Sequence, residues 1–116
     1  MTAGKAEDFQ CLSIWACTFN EKLIGYLSGH DAISESMCIF LPNTHYFEID
    51  ELYVLPQFRT LGIGRQLFEF AEKEIRNSGI GYLFLSSAAN DYLKIQNFYT
   101  KLEMQVWTQT FFKEIL

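Results

Sequence analysis

Basic residues are scarce in this chain: nine Lys and Arg stand against fourteen Asp and Glu, a net charge of −5. Broad electrostatic binding of nucleic acid needs a basic face, so that class of partner is excluded. No apolar run approaches the roughly 18 residues of a membrane span, and a membrane partner is not expected. Met1 to Gln10 is polar and has no signal-peptide core. The cysteines, Cys11, Cys17 and Cys38, are odd in number and lack a CxxC or metal spacing. Reduced thiols in a cytoplasmic protein are the expectation. There are only two histidines, His30 and His45. They fall in expected loops without convergent partners, so no metal site is expected. Repeats and low-complexity segments are missing as well.

What is present is a globular composition. Of the 116 residues 49% are hydrophobic and 20% charged, which excludes a disordered chain and suits one domain over residues 1–116. The first ten residues and Gly29 to Thr44 read as loose, the latter with an apolar island at Met37 to Leu41. Leu12 to Phe19 and Leu23 to Ser28 read as strands joined by a hairpin at Asn20-Glu21. On the first of these strands Cys17 shares a face with Trp15 and is expected in the core. Tyr46 to Leu55 is a further strand, stopped by Pro56. Gly62 to Ser78 has helical periodicity, with Ile63, Leu67, Phe70, Ala71 and Ile75 inward. Glu69 with Lys73 and Glu72 with Arg76 are its favourable i,i+4 pairs. Asn77-Ser78-Gly79 is its stop. A short strand at Tyr82 to Leu85 follows. Asn90 or Asp91 caps a second helix through Leu102, with Ile95, Phe98, Tyr99 and Leu102 inward. Gln105 to Phe112 is the last expected strand. Hairpins followed by βαβ crossovers predict an α/β (α+β) fold, a mixed, mostly antiparallel sheet flanked by helices.

Chemistry concentrates in Glu48 to Leu67, EIDELYVLPQFRTLGIGRQL. A strand ends there, Pro56 turns the chain, and Arg59-Thr60-Leu61-Gly62-Ile63-Gly64 opens a long helix. The first amides of a helix have no intrahelical partner and carry partial positive charge. Gly62 and Gly64 remove side chains that would block a phosphate from them. The chain has no GxxxxGK[ST], and Gly62-Ile63-Gly64 lacks the third glycine of GxGxxG, so neither a P-loop nor a dinucleotide fingerprint fits. Ser86-Ser87 has no G-x-S-x-G elbow and reads as channel lining rather than as a nucleophile.

The wider pattern resembles the GNAT N-acetyltransferase superfamily. Glu48, Glu51-Leu52-Tyr53-Val54, Pro56, Phe58-Arg59, Gly62-Ile63-Gly64 and Leu67 follow its acetyl-CoA motif. Asn97-Phe98-Tyr99-Thr100-Lys101-Leu102 is similar to its F-Y-x-K-L segment. The resemblance implies that acetyl-CoA is a co-substrate and a primary amine the acceptor. Arg59, Thr60 and the amides of Leu61, Gly62, Ile63, Gly64 and Arg65 would hold the pyrophosphate. Leu52, Tyr53 and Val54 would pair with the pantetheine arm beside a splay from the Tyr82 strand, and Asn90 would touch the cofactor. Glu48, with Glu51 second, is the implied base, and Tyr99 the acid for the leaving thiolate. Regular alternation puts Glu48 and Glu51 on opposite faces unless a bulge intervenes. The alternative is a non-catalytic acyl-CoA-binding module.

The pattern departs from the family in three places. One strand and two helices usually precede the hairpin, where this chain has about eleven residues. Glu103-Met104 replaces the usual Gly-Phe, and Tyr92 stands at the usual asparagine. The open acceptor side suggests a homodimer.

Overall fold

A computed structural model of the chain describes residues 2–9, 12–35, 41–87 and 91–116. Cys11, Cys38, Asn90 and most of the Met37 to Leu41 island lie outside the described residues. The chain divides into two compact units, Met1–Ser86 and Ser87–Leu116.

The larger unit is a five-stranded sheet in the order β1-β2-β3-β4-β5. Its strands are β1 (Thr2–Phe9), β2 (Leu12–Phe19), β3 (Lys22–Ile33), β4 (His45–Val54) and β5 (Leu83–Phe84). The first four pair antiparallel and β5 joins β4 in parallel, giving the mixed, mostly antiparallel sheet expected. The β2–β3 hairpin closes on Asn20 and Glu21, at φ 51° and 65° with Phe19 opposite Lys22. Two positive φ values in a two-residue loop match the right-handed twist of the flanking strands.

Three expectations about strands change. The polar N-terminal residues form β1, because β2 offers an edge whose backbone groups need partners whatever side chains the neighbour carries. Phe9 pairs with Leu12, so β1 and β2 are joined by two residues and no helix fits between them. The family's preceding strand is therefore present, without its two helices. The strand β3 runs on to Ile33, which places His30 in a strand, and His45 opens β4.

The helix α1 (Ile63–Asn77) packs against the sheet. Its buried stripe is Ile63, Leu67, Phe68, Ala71 and Ile75, while Phe70, expected inward, is exposed. Phe68 and Phe70 flank this stripe on opposite sides, and only the Phe68 side is covered. The stripe meets Trp15, Cys17, Ile24, Leu27, Phe47 and Ile49, the buried side chains of the sheet. Trp15 packs edge-on against Phe47 with centroids 5.6 Å apart. Cys17 is fully buried, and burial raises its thiol pKa, as an inert core cysteine requires. Arg76 bonds Glu72 at 3.3 Å as expected, but Glu69 takes Arg65, at 2.6 Å, rather than Lys73. The helix stops at Ser78 and at Gly79, whose φ is 93°.

One polar contact ties this core together: the indole Nε1–H of Trp15 donates to Glu74 Oε2 at 2.5 Å. Glu74→Ala strands a buried donor and should cost about 1–3 kcal/mol. Urea unfolding should show a lower midpoint with an unchanged slope.

The smaller unit holds α2 (Tyr92–Thr100), capped by Asp91, whose carboxylate accepts from the Lys94 amide at 3.2 Å. Ile95, Phe98 and Tyr99 are its half-buried positions, and Leu102 is buried in the turn after it rather than in the helix. Residues 104–116 are not in a strand, so the expected last strand is not formed. Strand propensity reflects fit to a pleated, half-buried surface and does not by itself make a strand.

Candidate active site

Both halves of the acetyl-CoA motif lie in the larger unit, and the backbone explains how. After Val54 the chain makes one 3₁₀ turn, Pro56–Phe58, and doubles back. Arg59 Nε donates to the Val54 carbonyl at 2.8 Å, and its guanidinium lies 5.4 Å from the Tyr53 ring centroid. This anchors the loop to the end of β4. Thr60 then takes φ 65° and Gly62 φ 83°, both left-handed. A β-branched residue in that region is strained by roughly 1–2 kcal/mol. Its place in the loop was not evident from the glycines alone.

Gly62 is the N-cap of α1, and no side chain caps the helix. The first turn carries no acidic residue. A Cβ built on Gly62 would meet nothing within 4 Å. The opening amides of α1 thus have no side-chain cap and no acidic neighbour in the first turn, with the helix dipole behind them, the arrangement an anion needs. Leu61 and Arg65 are exposed beside them, and Ile63 is buried beneath.

On the other side of this loop the sheet opens. The parallel pairing of β4 with β5 is confined to Phe47 with Leu83 and Glu48 with Phe84. Beyond Glu48 the strand β4 continues to Val54 with no β5 pairing among the described residues, in the stretch where a splay was expected. Leu52 and Val54 are half-buried and Tyr53 is exposed along this stretch. Ser86 and Ser87 are exposed after β5.

The face of β4 toward solvent differs from expectation. Ser28 pairs with Glu51, yet Gly29 pairs with Ile49 and His30 with Glu48. Asp50 is the extra residue of a bulge. Because Ser28 and His30 share one face of β3, Glu51 and Glu48 share a face too, instead of opposing one another. The bulge gathers a polar cluster. Tyr26 donates its phenol to Glu51, a bond that raises the Tyr26 pKa. Tyr26 also stacks obliquely with Tyr53 at 6.1 Å. His30 Nδ1 lies 2.9 Å from Asp50 Oδ2. One donor atom each from His30, Glu48 and Asp50 lies within 4.8 Å of the others, the single such grouping among the described residues that could hold a metal. His30 was expected in a loop, and its contact with Asp50 was not foreseen. The signal was a strand period that runs to Ile33 past Gly29, and no local feature marks it.

The bulge rests on Gly29. A Cβ there would lie 2.3 Å from the Glu48 carbonyl oxygen and 2.4 Å from the Phe47 ring. Only a glycine lets β3 approach β4 this closely.

Tyr99 sits on α2 in the smaller unit, half-buried, its ring edge-on to Phe98 at 5.0 Å. Burial raises its pKa, so the phenol keeps its proton at neutral pH and beyond.

Residues 3–104 match the acetyltransferase (GNAT) family. No curated protein matches the sequence. Among solved structures, a protein from Bacillus halodurans superposes with a TM-score of 0.78 at 20% identity, over 92% of this chain and 68% of that one. An aminoglycoside N-acetyltransferase in complex with CoA gives 0.74 at 15% identity, over 93% and 78%. Glucosamine-6-phosphate N-acetyltransferase from Arabidopsis thaliana gives 0.69 at 16%, over 90% and 67%. At these identities the likeness is one of fold.

Proposed function

Since the chain belongs to the GNAT acetyltransferase family, we propose that it moves an acetyl group from acetyl-CoA to a primary amine by direct transfer in a ternary complex. Residues 1–116 act as one catalytic domain in this reading. The observation that carries it is the start of α1, where uncapped amides, an open left-handed Gly62 and no acidic side chain suit a pyrophosphate. Leu61 to Arg65 would bind it through their amides, beside Arg59 and Thr60. The stretch Leu52 to Val54, paired with β3 and not with β5, would lie along the pantetheine arm, leaving the thioester near Glu48.

Acetyl-CoA supplies an acyl carbon activated by its thioester. The chain must then take a proton from the amine and stabilise the departing sulfur. Glu48, with Glu51 beside it, is the family's choice for the first task. Tyr99 serves the second, since a phenol held protonated by burial is a ready donor.

The acceptor is proposed to be cationic. Glu48, Asp50 and Glu51 put three carboxylates on or beside the bulge, which attracts an ammonium and repels a phosphate. Among the amines that the structural relatives' names suggest, an aminoglycoside fits this face better than a sugar phosphate does. A second reading, a non-catalytic acyl-CoA-binding module, draws support from the two-residue β1–β2 connection. It leaves no helix there to wall the acceptor pocket, and we propose that a second copy of the chain completes that wall.

Isothermal calorimetry with acetyl-CoA, followed by thiol release against a panel of amines, tests both readings. Sub-millimolar binding with amine-dependent release is expected, and absence of binding at millimolar acetyl-CoA would sink the reading. Binding without release from any amine would favour the module. Tyr99→Phe should keep acetyl-CoA affinity and lose at least about tenfold in kcat. The alkaline limb of the wild-type kcat profile should lie above the ordinary phenol value of about 10. A raised pKa means that the proton-bearing form persists to higher pH, and this limb should vanish in Tyr99→Phe.

A further inference from the structure

Resting on the acetyl-transfer reading, we propose that His30, oriented by Asp50, is the base that takes the proton of the acceptor amine. The strand register puts His30 directly opposite Glu48, at the last residue of β4 that pairs with β5. His30 therefore lies across β4 from the last β5 pair, beside Glu48. The Asp50 bulge then brings a carboxylate oxygen to 2.9 Å from His30 Nδ1. The proposed role uses the tautomer in which Nδ1–H donates to Asp50 and Nε2 keeps its lone pair. The two side chains are 37% and 35% exposed, open enough to meet an acceptor and covered enough to hold their orientation.

Imidazole suits this task by geometry: Nδ1 is turned to Asp50, so Nε2 is the ring nitrogen left for the acceptor. The groups facing His30 are Glu48 and Asp50 from β4, Leu12 from β2 in register, and Ser28 and Ala32 at the flanking positions of β3. Glu51 is held by Tyr26 one pair further along. In the proposed step His30 Nε2 first takes one proton from the bound ammonium and passes it to solvent; the freed amine lone pair then forms the C–N bond to the acyl carbon, and the second N–H proton leaves through the same imidazole. The C–S bond breaks with its electron pair on sulfur, the sulfur takes a proton from Tyr99 or water, and the imidazolium returns its proton to solvent. Glu48 in this scheme holds the incoming ammonium and is not the base.

The test uses the full chain with acetyl-CoA and either spermine or kanamycin, measuring thiol release and, separately, acetyl-CoA affinity. His30→Gln should lose on the order of 100-fold in kcat at unchanged acetyl-CoA affinity. Added imidazole should restore part of the activity of His30→Ala. Asp50→Asn should lose roughly tenfold in kcat at unchanged acetyl-CoA affinity. His45→Gln, away from the cluster, should match wild type. A His30→Gln variant within about threefold of wild type would overturn the assignment while leaving acetyl transfer intact. So would activity removed by a chelator and restored by zinc, which would make the cluster a metal site. A wild-type chain that binds acetyl-CoA and acetylates no amine overturns the acetyl-transfer reading, and the assignment with it.

Discussion

Gly29→Ala should unfold this protein at a temperature roughly 10 °C lower than wild type and abolish acetyl transfer at temperatures where the variant is still folded. The added methyl would sit 2.3 Å from a backbone oxygen and 2.4 Å from a buried aromatic ring. Neither is the far end of a flexible side chain, so β3 and β4 must part. Overpacking of this kind costs about 1–3 kcal/mol, occasionally more. For a domain of this size each kcal/mol moves the midpoint by about 4 °C. The functional loss has a separate cause. Parting the strands at Gly29 shifts the register on which the Asp50 bulge depends, and with it the common face of Glu48, Glu51 and His30. Thermal unfolding by circular dichroism checks the first effect, and thiol release well below the variant's midpoint checks the second. A variant with wild-type stability would show that the strands are not held this close.

Gly62→Asp should leave the fold intact and weaken acetyl-CoA binding by about 10- to 100-fold, the worth of one charge-assisted hydrogen bond. The reasoning turns on self-competition. An aspartate at an N-cap accepts from the very amides that the pyrophosphate would use, and its charge repels the ligand. The cap would gain about 1 kcal/mol of helix stability, while a side chain at φ 83° costs about as much, so the two nearly cancel. No steric clash adds to this, since space around the Gly62 Cβ position is open. Calorimetry on the variant separates affinity from folding. Undiminished acetyl-CoA binding would place the phosphates elsewhere and remove the main support for the proposed function.

Much of the candidate site was legible in the residues because its physics is local. The αL cap at Gly62 and the apolar stripe of α1 each depend on neighbours within a few positions, and so does the Asn20-Glu21 turn. The misreadings came from partners far away in the chain. Residues 2–9 look polar and loose in isolation and become a strand because β2 provides an edge. Gln105 to Phe112 has strand composition and is not in a strand. Glu48 and Glu51 are three residues apart, and strict alternation sets them on opposite faces. The bulge that cancels this is visible only in the register with β3.

Composition, periodicity and turn chemistry were thus enough for the long helix, the hairpin turn and the buried Cys17, and motif resemblance was enough for the family. Those properties follow from what each segment prefers by itself. Pairing between distant strands decided the rest: Gly29 beneath the bulge, His30 opposite Glu48, and Asp50 turned toward the imidazole. A shift of one residue in that pairing would send each of these side chains to the other face, and no preference encoded within a single strand selects between the two registers.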